Sequence, residues 1–120
     1  MSISEKGVIK EGRNTTALEG TNVQTIYTVT SGRKFKLKLI VVANEHASEN
    51  AVVELYDQAG GSAPTAANQK FPPIIVGPQE TVVIDLRNDG PTFETAVSGF
   101  LSGGTGTVAA YSAYVSGYEY

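Results

Sequence analysis

Lys34-Phe35-Lys36-Leu37-Lys38-Leu39-Ile40-Val41-Val42-Ala43 decides the fold class. Phe35, Leu37, Leu39 and Val41 alternate with Lys34, Lys36 and Lys38, until Ile40 and Val42 take over the lysine side. Successive side chains of a strand point to opposite faces, so a period of two predicts a strand, half-buried at its start and buried on both faces at its far end. Upstream, Val23-Gln24-Thr25-Ile26-Tyr27-Thr28-Val29 is rich in β-branched and aromatic residues, and Thr30-Ser31-Gly32 punctuates the join. The two runs form either a hairpin or a strand that crosses to a facing sheet.

Working outward, strands are expected at 51–56, 81–86, 93–97 and from 107 to about 118, with a weaker pair at 7–10 and 16–18. The run Phe71-Pro72-Pro73-Ile74-Ile75-Val76 supplies a short or edge strand, because proline cannot donate a ladder hydrogen bond. The stretch 59–70 contains Gly60, Gly61 and Pro64 and no apolar stripe, which predicts an exposed loop rather than a helix. Seven to nine short strands without intervening helices predict an all-β, antiparallel β-sandwich, jelly-roll-like, of about eight strands. Residues 1–16 are polar and show little core pattern, so they are expected to form an extended arm ahead of a sandwich spanning 17–120.

A chain of 120 residues suits one domain with one core. The net charge is −3, divided as +2 over residues 1–50 and −5 over residues 51–120, which argues against a nucleic-acid partner. Cysteine is absent, excluding disulfides and thiolate metal sites and fitting a protein that matures in a reducing compartment. Residues 1–6 do not read as a signal peptide, and no run approaches the ~18 apolar residues of a membrane span.

Residues suited to catalysis are scarce. His46 is the sole histidine and lies in a polar turn, where a solvated surface role is its ordinary one. Asp57-Gln58-Ala59-Gly60 lacks the repeated acids of a calcium loop, and Ser102-Gly103-Gly104-Thr105-Gly106 has no following lysine to cradle phosphate. No enzyme, metal or cofactor is expected. Two features suit binding instead. Arg33, Lys34, Lys36 and Lys38 make a basic row in an acidic protein, its plain alternative being a solvated face that discourages edge pairing. Tyr114, Tyr118 and Tyr120 share a parity opposite to that of Tyr111, and tyrosine serves both interfaces and buried strands.

At Tyr27-Thr28-Val29-Thr30-Ser31-Gly32-Arg33-Lys34-Phe35 the chain resembles small jelly-roll structural proteins of tailed bacteriophages: a strand ending in Tyr-Thr-Val, a Ser-Gly turn, then a basic-aromatic strand. The resemblance continues through Val53-Glu54-Leu55-Tyr56-Asp57, Gly77–Leu86 and Ser116-Gly117-Tyr118-Glu119, with Thr30 standing where the family's first turn usually has proline. It implies a capsid decoration or minor virion protein, assembled in the host cytoplasm into the virion. Its implied partners are the major capsid protein or another virion protein, and copies of itself, a trimer ahead of a pentamer. Docking is then expected through Ile3, Val8, Ile9 and Arg13 of the arm, the basic row, and Tyr114, Tyr118 and Tyr120. The rivals are a carbohydrate-binding or receptor-binding β-sandwich module and a tail or head-fibre component, since the same architecture hosts them.

Overall fold

The structure is a computed structural model that describes residues 7–14, 18, 20–102 and 111–120, Tyr111 by its backbone alone. These form strands β1 (Val8–Arg13), β2 (Gln24–Thr28), β3 (Phe35–Asn44), β4 (Ala51–Asp57), β5 (Ile74–Val76), β6 (Thr81–Asp85), β7 (Thr92–Phe93), β8 (Ala96–Ser102) and β9 (Tyr111–Glu119), with a single 3-10 turn at Ala66–Asn68. One sheet runs β1-β9-β3-β6, with β7 continuing the β6 side of β3; the other runs β2-β8-β4-β5. Every pairing is antiparallel.

Leaving aside the two-residue β7, the first long strand pairs with the last (β1–β9), the second with the seventh (β2–β8), the third with the sixth (β3–β6) and the fourth with the fifth (β4–β5). That is a long hairpin rolled over on itself, the winding of a jelly roll. The 23–43 segment therefore crosses between sheets and is not a local hairpin, β2 lying in one layer and β3 in the other. Between the layers sit Ile26, Phe35, Leu37, Ile40, Val42, Val53, Leu55, Ile74, Val76, Phe93, Val97 and Val115, all buried.

The alternation of β3 is broken once. Leu37 faces Gly117 while Leu39 faces Ser116, so Lys38 is an extra residue, a β-bulge. The inward set thus switches from Phe35 and Leu37 to Ile40, Val42 and Asn44, while Leu39 and Val41 turn outward and are half-buried. The expectation that Leu39 and Val41 continue the face of Phe35 is corrected by that one inserted residue. Asn44 ends the strand inside the core, where its amide donates to the carbonyls of Glu49 (2.8 Å), Val76 (3.1 Å) and Gly77 (3.1 Å) and its Oδ1 accepts from the His46 backbone N–H.

Two further expectations change. The strand expected at 93–97 is two strands, β7 and β8, and β8 extends to Ser102 as a buried central strand. Its Ser98 and Gly99 hide the apolar period, and Gly99 lets the side-chain ends of Leu18 and Ile26 close in on the strand, where a Cβ would push them aside. Residues 8–13, within the expected extended arm and overlapping the weak strand read at 7–10, form β1, in continuous register with β9 from Val8–Glu119 to Arg13–Tyr114. Gly12 admits this: a Cβ there would overlap the Ile26 carbonyl, so glycine lets β1 pack down upon β2. Residues 1–6, 15–17, 19 and 103–110, Ile3 among them, lie outside the described residues.

The loop expected at 59–70 is exposed over most of its length, and its own hydrogen bonds shape it. Buried Gln58 donates through Nε2 to Ser62 Oγ and to the Ala63 carbonyl, and its Oε1 accepts from Thr65 N–H. Gly61 and Ser62 then exchange backbone bonds with Val23, tying the loop back to the start of β2. Tyr56 is buried, its ring set edge-on to Phe100 with centres 6.2 Å apart and its hydroxyl donating to Glu54 Oε1 at 2.7 Å; burial, aided by that carboxylate, pushes its phenol up to about 12.

Gly117 gives a sharp test of the β3–β9 pairing. A Cβ at Gly117 would overlap the Lys36 carbonyl and press on the Phe35 ring, both in the packed centre of the sheet. Gly117→Ala should therefore cost about 2 kcal/mol of unfolding free energy by overpacking, and Ser116→Ala, on the outward side, about 0.5 kcal/mol or less. Urea unfolding monitored by circular dichroism measures both.

Candidate functional site

Directly opposed residues of an antiparallel ladder share a face, so the register lays out the outer surface of the β1-β9-β3-β6 sheet row by row. Ile9, Tyr118, Lys36 and Thr92 form one row. Glu11, Ser116, Leu39 and Asp85 form the next, and Arg13, Tyr114, Val41 and Val83 a third. At the end of the sheet, Lys34 and Tyr120 exchange backbone hydrogen bonds at 2.9 and 3.0 Å. Three sequence segments far apart in the chain, 8–13, 33–38 and 114–120, thus become three adjacent strands on one surface.

The side chains on this surface engage each other. The Tyr118 and Tyr120 rings lie 5.7 Å apart at 40°, and the Lys38 amine stands 5.6 Å from the Tyr118 ring centre. The bulge that shifts the core phase also brings Lys38 over this ring, where a cation is attracted to the π-face. Lys34 approaches Glu94 at 4.0 Å with both side chains mostly in water, so this ion pair contributes little. The Tyr114 hydroxyl donates to Glu11 Oε2 at 2.7 Å, and that hydrogen bond raises its pKa above the ordinary phenol value. Ile9 is 81% exposed and Val83 62%, and these two aliphatic residues stand at the opposite edges of the sheet.

The remaining expected residues lie elsewhere. Val8 points to the inner side of β1, opposite Glu119, and is 47% exposed at the sheet edge. Arg33 is exposed in the turn closed by its own N–H to the Thr30 carbonyl. His46 is a turn cap: its Nδ1 accepts the backbone N–H groups of Ser48 and Glu49, both at 3.1 Å. Among the described residues no group of three or more His, Asp and Glu side chains is placed to hold a metal ion. A recess of about 440 Å³ is lined by Ala43, Asn44, Glu45 and Gln79–Thr81.

Glu119 is the structural centre absent from the expected set. It is buried, and its carboxylate accepts from the Tyr27 hydroxyl, from Thr30 N–H at 2.9 Å and from the Thr30 hydroxyl at 3.0 Å. The cluster ties β9 of one sheet to the end of β2 in the other, directly beneath Tyr118 and Tyr120, while the Tyr27 ring packs on Phe35 with centres 4.6 Å apart. Proline at position 30 would supply neither donor, so the acid gives Thr30 a specific role. Alternation carried a signal: Glu119 shares the inward parity of Ala113 and Val115, and a charge at an inward position implies dedicated partners.

Burial pushes the Glu119 carboxyl up, but the bonds from Tyr27 and Thr30, with the charge of Lys10, outweigh it and hold the group below its ordinary value. On the other side of the bond, burial and then Glu119 itself raise the Tyr27 phenol. A carboxyl whose folded pKa is depressed contributes stability at neutral pH, and that contribution is lost as pH falls below the ordinary carboxylate range. Acid unfolding of Glu119→Gln should accordingly be flatter below that range than for the native chain. Glu119→Ala, which leaves buried donors unpaired, should lose about 2–3 kcal/mol at pH 7.

No family model matches the chain, and no curated protein does. Among solved structures, the Drosophila NLP core, described for its pentamer formation and histone binding, aligns over 94% of this chain and 98% of that one, with 18% identity and a TM-score of 0.44. At that level of likeness neither its partner nor its assembly carries over to this chain.

Proposed function

We propose that this chain is a non-enzymatic virion structural protein of a tailed bacteriophage, a decoration or cement protein that binds an assembled capsid and reinforces its joints. The observation that supports this most is the convergence of Ile9 and Arg13, Lys34, Lys36 and Lys38, and Tyr114, Tyr118 and Tyr120 on one outer sheet face. Such a surface suits protein contact. Tyrosine offers broad apolar area with a polar tip at small entropic cost, and lysine stems lie along it while keeping their charge in water. The jelly-roll winding is found in viral capsid and lectin domains alike, so the fold is compatible with this reading without selecting it.

The proposed partner is the major capsid protein or another virion protein, and the proposed working form is a homo-oligomer, a trimer ahead of a pentamer. Repetition matters energetically, because several identical weak contacts on a rigid ring reach an avidity far above that of one copy. The lysines and Arg13 face the partner beside Glu11, Asp85 and Glu94, so attachment should depend on salt only moderately. A second reading, a carbohydrate platform, draws on the Tyr118–Tyr120 pair with Lys38 beside it. Lysine, arginine and tyrosine at a contact centre favour protein over sugar when no tryptophan is present.

Cosedimentation with purified capsid shells tests the proposal. Tyr118→Ala and Lys36→Glu should each weaken attachment about tenfold or more while leaving the fold intact, and removal of residues 1–6 alone should leave stability unchanged, since β1 begins at Val8. Native attachment by Tyr118→Ala, together with loss on removing 1–6, would move docking from the sheet face to the arm. Binding to insoluble polysaccharide that disappears in Tyr118→Ala would instead support the carbohydrate reading.

A further inference from the structure

Two edges of the β1-β9-β3-β6 sheet have no strand beyond them among the described residues, and they differ in character. The β6 edge reads Thr81-Val82-Val83-Ile84-Asp85, four of five residues β-branched, without the proline, lysine or bulge that usually blunts an edge. Val83 is 62% exposed there, and Ile75, 66% exposed, stands on β5 of the same flank, one turn away in the chain. The β1 edge exposes Ile9 and Val8 instead. Their charges are opposite. Glu80, Asp85 and Asp89 against Arg87 give −2 along β6 and its flanking turns, whereas Lys10 and Arg13 against Glu11 give +1 along β1.

We infer that the β6 edge of one copy pairs with the β1 edge of the next, head to tail, so that the sheet continues from subunit to subunit around a closed ring. Because each step of β1-β9-β3-β6 is antiparallel, β6 runs opposite to β1, and a second copy in the same orientation presents its β1 antiparallel to β6. Setting Val83 opposite the neighbour's Ile9 brings together two of the most exposed aliphatic residues in the molecule on the outer face, and places Ile84 opposite Val8 on the inner one. Both flanks then gain backbone partners along an edge that has no strand beside it among the described residues. Pairing β6 with β6 about a two-fold axis would set −2 against −2, and it would leave Ile9 and Val8 uncovered. Opposite charge and non-identical edges select the heterologous arrangement, and the ring proposed here is the case in which the rotation from copy to copy closes.

This rests on the homo-oligomer reading above, and mixing two variants separates its failure from that of the reading itself. Sedimentation velocity of the native chain should show a species several times the 12.6 kDa subunit. Ile9→Asp and Val83→Asp each spoil one edge, so each alone should be monomeric with an unchanged circular dichroism spectrum. Mixed in equal amounts, they retain one sound β1 edge and one sound β6 edge between them, and should form a dimer and nothing larger. The milder Ile9→Ala and Val83→Ala, at positions too exposed to disturb folding, should each weaken assembly about tenfold. A native chain that is monomeric at high micromolar concentration overturns both the ring and the oligomer reading. A native oligomer that Ile9→Asp leaves intact, or a mixture that stays monomeric, overturns the edge pairing alone.

Discussion

The pairing of β9 with β3 is the constraint on which the rest of this molecule depends. It places the last strand of the chain in the middle of a sheet, between the first strand and the third, and so closes the roll. Two local features make it possible: Gly117, where any side chain would overlap the Lys36 carbonyl, and the extra residue Lys38 directly alongside. The bulge then does two things at once. It rotates the inward face of β3 so that Ile40, Val42 and Asn44 meet the core, and it leaves Lys38 over Tyr118 on the outside. Core packing and surface chemistry are consequently set by the same inserted residue.

Glu119 locks this arrangement from below. A buried carboxylate is costly unless each lone pair is engaged, and here Tyr27 and both donors of Thr30 engage it. Since these donors come from the opposite sheet, the acid acts as a cross-layer tie one residue from Tyr120, and it holds the tyrosine end of β9 against the Lys34 backbone. On the reading proposed above, that tie would hold the contact surface in place before docking. Side chains that need little reordering on docking keep more of their contact energy as affinity.

Much of the fold was legible in the alternation of residues 34–43 and in the punctuation of the turns, because period two needs only local residues. What escaped were features fixed by distant ones. The bulge at Lys38 sits beside Gly117 of another strand, and β8 was obscured by Ser98, whose hydroxyl donates to the Gln58 carbonyl, and by Gly99, which faces Leu18 and Ile26. For β1 the signal was weak since Ile9, Glu11 and Arg13 face outward while Gly12 hides the inward position over β2. At the candidate site, the lysines and tyrosines were visible individually, yet their meeting on one surface depends on the rolled strand order. Glu119 had a parity signal, and its partners Tyr27 and Thr30, about ninety residues away, had none.

The central claim is that the outer face bearing Lys36, Lys38, Tyr118 and Tyr120 is the surface applied to the capsid. Hydroxyl-radical footprinting of the native protein, free and attached to shells, tests it at single side chains. The account predicts that Tyr118 and Tyr120 become protected on attachment while Tyr56, already buried beside Phe100, does not change. Undiminished oxidation of Tyr118 and Tyr120 on fully attached protein would contradict it.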